Sequence, residues 1–88
     1  MSIYDSAYRK FLSELRTARL AAGLSQEELA DRLGKHQTFV SKVEKGQRYL
    51  DVLEFVRWSA AIQADPASLM TGLSNDVIGR RARRRLTE

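Results

Sequence analysis

Three glycines, each set just past a stretch of helical periodicity, constrain this chain more than any other feature. Gly23, Gly34 and Gly46 stand where a helix would have to close in left-handed backbone, a conformation that costs glycine least. Start signals alternate with these stops. Tyr8, Phe11, Leu12, Leu15, Ala18 and Ala22 recur at helical spacing, which predicts an amphipathic helix from about Asp5 to Ala22. In Leu24-Ser25-Gln26-Glu27-Glu28-Leu29, Ser25 can cap the amide of Glu28 and Glu28 can reach back to the amide of Ser25. Leu24 and Leu29 are placed to form a hydrophobic staple across that box. A second helix is therefore expected from there to Leu33.

A third helix fits Gln37 to Lys45, with Val40 and Val43 as its apolar pair. Its start is weakly marked, because Lys35 and His36 are poor caps. A fourth opens at Asp51 with a capping box (Asp51 and Glu54) and a staple (Leu50 and Phe55), and carries Leu53, Val56 and Ile62. Asp65-Pro66 is an N-cap followed by proline at the first helical position, predicting a short fifth helix through Leu69 to about Thr71. No segment alternates like a strand, and no Asn-Gly or Asp-Gly hairpin turn occurs. The expected fold is all-α.

Composition narrows the class. Eighty-eight residues suffice for one domain with a modest core. With 43% hydrophobic and 30% charged residues, the chain is unlike a disordered one. It has no cysteine, which favours a reducing cytoplasm and a fold held by packing alone. The start, MSIYDSAYRKFL, lacks a continuous apolar stretch after a basic head, so no signal peptide is expected. Nothing approaches the roughly 18 apolar residues of a membrane span. The single histidine, His36, has no companion ligands, so no metal site and no cofactor is expected. One histidine, no cysteine and scattered serines assemble no catalytic set.

The net charge of +4 needs dissection. Residues 1–79 carry ten Lys or Arg and ten Asp or Glu; Arg80 to Glu88 supply five arginines and one glutamate, hence the whole excess. Within the neutral part the charges are sorted. Between Lys35 and Arg48 four residues are basic and one acidic, whereas Glu27, Glu28 and Asp31 outweigh Arg32 on the second helix.

The second and third helices, joined by a short turn containing Gly34, form the informative unit. Two short helices so joined cross steeply and let the second stand out from the body. The crossing requires a small residue, supplied by Ala30, and inward apolar groups, supplied by Leu29, Leu33, Val40 and Val43. On the outer face of the third helix lie Gln37, Thr38, Ser41 and Lys42, with Lys45 just beyond. These side chains suit a major groove: glutamine pairs with adenine, threonine meets a thymine methyl, and lysine reaches guanine acceptors.

The run from Leu15 to Leu73, above all LSQEELA and FVSKVEKG, resembles the Cro/C1-type (XRE, phage-repressor-like) helix-turn-helix family. The resemblance implies a five-helix lambda-repressor-like DNA-binding domain over residues 1–75, with the arginine-rich tail 76–88 outside it. It implies base contacts from Gln37, Thr38, Ser41 and Lys42. Phosphate contacts are implied for Ser25 and Gln26 at the start of the second helix, for His36 in the turn, and for Lys45, Gln47 and Arg48 after the third. Arg19 and Glu44 match a pair that in relatives forms a partly buried salt bridge. The partners implied are double-stranded DNA and a second copy of the chain, paired through the region of the fourth and fifth helices with Leu69, Met70 and Leu73, with no small-molecule ligand. The function implied is a transcriptional regulator, expected to act as a repressor.

Two departures stand out. The loop from Gly46 to Asp51 is shorter than in some phage repressors, and Phe39 is bulky where some relatives carry a small polar residue. Phe39 either covers sugar and methyl groups or folds back on the second helix. Tyr49 serves the core or a phosphate; Phe55 and Trp58 read as core. The arginines of the tail form either a phosphate-binding arm or an exposed, disordered end. From another class, the same fold serves protein-interaction modules and antitoxin-like partners.

Overall fold

The structure, a computed structural model, describes the backbone of residues 5–87 and the side chains of residues 5–79. Five helices follow in order: α1 (Ser6–Ala21), α2 (Gln26–Leu33), α3 (Gln37–Glu44), α4 (Val52–Ala61) and α5 (Pro66–Thr87). No strand is present among the described residues. The capping expected from sequence is in place. Asp5 accepts hydrogen bonds from the amides of Ala7 and Tyr8, at 2.9 and 3.2 Å. Both capping boxes close, Ser25 with Glu28 and Asp51 with Glu54. His36 occupies the N-cap of α3 without a side-chain bond.

Four helix ends share one closure. The amides of Leu24, Lys35, Gln47 and Ala64 donate back five residues, to Arg19, Ala30, Lys42 and Ser59, at 2.8–3.2 Å. The residue before each donor takes left-handed backbone: Gly23 at φ 76°, Gly34 at 66°, Gly46 at 76° and Gln63 at 57°. Only the last junction uses a residue with a Cβ, which costs about 1–2 kcal/mol in that conformation.

These turns fold α1, α2, α3 and α4 around a core of Phe11, Leu15, Leu29, Val40, Val43 and Trp58. Ala30 is buried beside Leu29 on α2, while Val40 and Val43 are fully enclosed from α3, as the crossing requires. Trp58 is enclosed although its indole N–H has no partner among the described residues. Burial of about 200 Å² of ring, near 5 kcal/mol, outweighs the roughly 1–3 kcal/mol lost with that hydrogen bond.

The fifth helix departs from expectation. In place of a short helix ending near Thr71, α5 continues to Thr87, so no break in secondary structure marks residue 75. Nothing in Thr71 to Thr87 forbids it: there is no proline, and Gly72 and Gly79 only weaken a helix. Packing on α1 supplies what propensity lacks. Lys10 donates to Asp76 at 2.9 Å, and Leu69 and Leu73 pack on the core. The roles considered for the arginines 80–85 lie outside the described side chains.

Candidate nucleic-acid interface

Burial of Val40 and Val43 fixes the rotation of α3, and the opposite edge is left open. Thr38, Lys42 and Lys45 are exposed, while Gln37 and Ser41 are partly covered. No other element of the described chain lies over Thr38 or Lys42. The polar edge expected to read DNA therefore stands clear of the body.

Behind that edge runs a chain of hydrogen bonds. Arg19 donates through Nε to Glu44 Oε2 at 2.7 Å and through Nη2 to Oε1 at 3.1 Å. Its third donor reaches the Leu24 carbonyl at 2.7 Å. Glu44 Oε1 also accepts from Gln26 Nε2 at 2.9 Å, and Gln26 Oε1 accepts from Gln37 Nε2 at 2.7 Å. The ion pair is nearly enclosed, with side chains 6% and 5% exposed. One carboxylate that would repel phosphate is thereby neutralised and turned inward. The network also holds Gln37, at the first position of α3, by one amide hydrogen. Its oxygen and second N–H remain, the acceptor and donor that adenine needs.

The residues expected to meet phosphate divide into two groups. Ser25, His36, Lys45 and Gln47 are exposed on the turns and helix ends bordering α3. Ser25 accepts from the Glu28 amide, and that box holds the Glu28 carboxyl below its ordinary value, chiefly through the Ser25 backbone hydrogen bond. Gln26 and Arg48 are engaged within the chain. Arg48 forks onto Glu54, with both contacts at 2.9 Å, and also donates to the Tyr49 carbonyl. That fork, helped by the Asp51 amide, pulls the Glu54 carboxyl to about 2.

Phe39 folds toward α4, with its ring centroid 6.1 Å from that of Trp58. Lys35 and Arg48 lie over the Phe39 ring at 5.4 and 4.7 Å, within cation–π range. Tyr49 packs on Tyr8 with ring centroids 5.1 Å apart, and burial raises the Tyr8 hydroxyl pKa. Two links went unread in the sequence. Glu54 carried a visible signal, since its cap uses only one carboxylate oxygen and an arginine stands six residues earlier. The Gln26–Gln37 bond depends on the crossing angle and had none. No group of His, Asp or Glu among the described residues could hold a metal ion. No described helix is long and apolar enough to cross a membrane.

A glycine-closed crossing of α2 and α3, with an open polar edge on the second, defines a helix-turn-helix DNA-binding protein of the transcription-regulator class. The family profile described as helix-turn-helix matches residues 15–69. Among solved structures, an XRE-family like protein from Pseudomonas syringae pv. tomato str. DC3000 is 46% identical. It aligns over 82% of this chain and 88% of its own, with a TM-score of 0.76. The restriction-modification controller protein C.AhdI from Aeromonas hydrophila is 38% identical over 68% of this chain and 87% of its own, with a TM-score of 0.63. No curated protein matches. The chain belongs to the XRE (Cro/C1-type) family of helix-turn-helix proteins.

Proposed function

We propose that the protein is a sequence-specific transcriptional regulator of the cytoplasm, a repressor that reads the major groove of duplex DNA with α3 as a homodimer. The observation that carries this reading is the open edge of Thr38, Ser41 and Lys42 above the buried Val40 and Val43. Gln37 and Lys42 are the principal base-reading groups, with Thr38 and Ser41 beside them. Ser25, Gln26, His36, Lys45 and Gln47 touch the backbone, and Arg48 reaches it only by loosening its hold on Glu54. The domain proper ends near residue 75.

Pairing follows from the size of the site. One helix in one groove reads few base pairs, so specificity calls for two half-sites. An apolar strip supports a second copy as the partner. Val52 is 79% exposed and Val56 49% on α4, with Met70 at 44% on α5. Of the three residues expected to pair copies, Met70 is exposed, whereas Leu69 and Leu73 pack on the protein's own core.

Selection of bound sites from random duplex DNA tests the proposal. The enriched sequence should contain two inverted half-sites about one helical turn, ~34–36 Å, apart. Gln37→Ala should weaken binding to it by ~1–3 kcal/mol and relax preference at one position. No enrichment, or binding indifferent to Gln37→Ala and Lys42→Ala together, would leave a protein-interaction module as the better reading.

A further inference from the structure

The DNA contacts expected from sequence lie in the helix-turn-helix, the loop after it and, as one alternative, the arginine tail, yet the surface next to Glu44 is built from α1 as well. A groove of about 200 Å³ is lined by Arg9, Ser13 and Arg16 of α1 and by Glu44, Lys45 and Gly46 at the end of α3. We infer that Arg16 and Lys45 form a seat for one phosphate of the DNA backbone, so that α1 takes part in binding directly. This rests on the DNA-binding reading above and adds to it a residue outside the helix-turn-helix.

Helical register explains why Arg16 is there. It precedes Arg19 by three residues, so the two share a face of α1. Arg19 is spent on Glu44, which leaves Arg16 one turn along, against the same stretch of α3. Ser13, a further three residues back, extends that face with an exposed hydroxyl.

Charge decides which ligand the groove takes. Arg16 and Lys45 are exposed, and neither has an ion pair among the described residues. Glu44 is the only acid of the lining, and its carboxylate is already held by Arg19 and Gln26. The end of α3 by itself repels anions, because helix C-termini carry partial negative charge. Two unpaired cations reverse that, and a guanidinium fork matches two phosphate oxygens. The ligand is a duplex backbone rather than a free acid because Lys45 directly follows α3. A duplex lying along Thr38 and Lys42 must carry a sugar–phosphate strand past one end of that helix.

Fluorescence anisotropy of the full chain, over a range of salt, tests this on two probes: the duplex enriched by selection, and a scrambled duplex of equal length. Arg16→Ala should weaken both by a similar factor, at least roughly fivefold to tenfold, and lower the salt slope by about 0.9 for each bound subunit, about 1.8 for the homodimer. Arg16→Lys should restore the slope. Arg57→Ala, a cation on α4, should leave slope and affinity unchanged. Arg16 is exposed, so the thermal midpoint of Arg16→Ala should stay at the wild-type value. Wild-type slope and affinity in Arg16→Ala, or a loss confined to the selected duplex, would overturn the phosphate seat and leave the DNA-binding reading standing. Failure of the wild-type chain to bind either duplex would remove both.

Discussion

Among the described residues the same arginine–carboxylate fork occurs twice, at two depths. In each, the guanidinium also donates to a backbone carbonyl, Leu24 for Arg19 and Tyr49 for Arg48. In each, the carboxylate accepts one more bond, from Gln26 for Glu44 and from the Asp51 amide for Glu54. The first pair is nearly enclosed, whereas Arg48 is 43% and Glu54 14% exposed. Water therefore decides what each can do. The deep pair ties α1 to α3 and, through Gln26, holds Gln37 at the head of α3. The shallow pair seals a helix start and stays available to salt, acid and a phosphate.

The largest effect that would break this contrast is at Glu44. Glu44→Ala strands the Arg19 guanidinium in the core and frees Gln26, and should cost about 3–5 kcal/mol by denaturant unfolding. A cost no greater than that of Arg48→Ala would show the two forks to be equivalent.

Acid should act next, and on the shallow pair. The Glu54 carboxyl lies at about 2 in the folded chain, against an ordinary value of 4.5. A folded-state value below the unfolded one gives stability that is complete above pH 4.5 and lost as the pH falls toward 2. Glu54→Gln should accordingly melt below wild type at neutral pH, with the gap narrowing across that window. A gap constant down to pH 2 would break the assignment.

The smallest effect sharpens the comparison. Arg48→Ala should cost far less than Glu44→Ala, and molar salt should shrink that cost while leaving that of Glu44→Ala in place. Salt-independence of the Arg48→Ala loss would mean that its stacking on Phe39 matters more than its charge.

Legibility from sequence followed the range of the interaction. Capping boxes at Ser25 and Asp51, the glycine stops and the enclosed Val40 and Val43 all rest on spacing of six residues or fewer, and each was readable. The resemblance brought Arg19 together with Glu44 across 25 residues. Spacing alone could not have done so. The length of α5 was hidden because Gly72, Ser74 and Asn75 are weak helix formers, and what sustains them is tertiary: Leu69 and Leu73 packed on the core and the Lys10 to Asp76 bond. The resemblance implies a phosphate contact for Arg48, but the Glu54 cap leaves one carboxylate oxygen free six residues on, and Arg48 takes it.

Gln63 has a consequence for how the subunit is put together. The joint between α4 and α5 is the one bend of its kind held by a side-chain-bearing residue under backbone strain. It lies between the two helices that carry Val52, Val56 and Met70. In a homodimer, a strained joint beside that exposed apolar strip would couple folding to self-association, and the helix hung from the joint would gain firmness when a twin subunit clasps it. In the proposed homodimer, dilution would then loosen α5 before it disturbs the four-helix core.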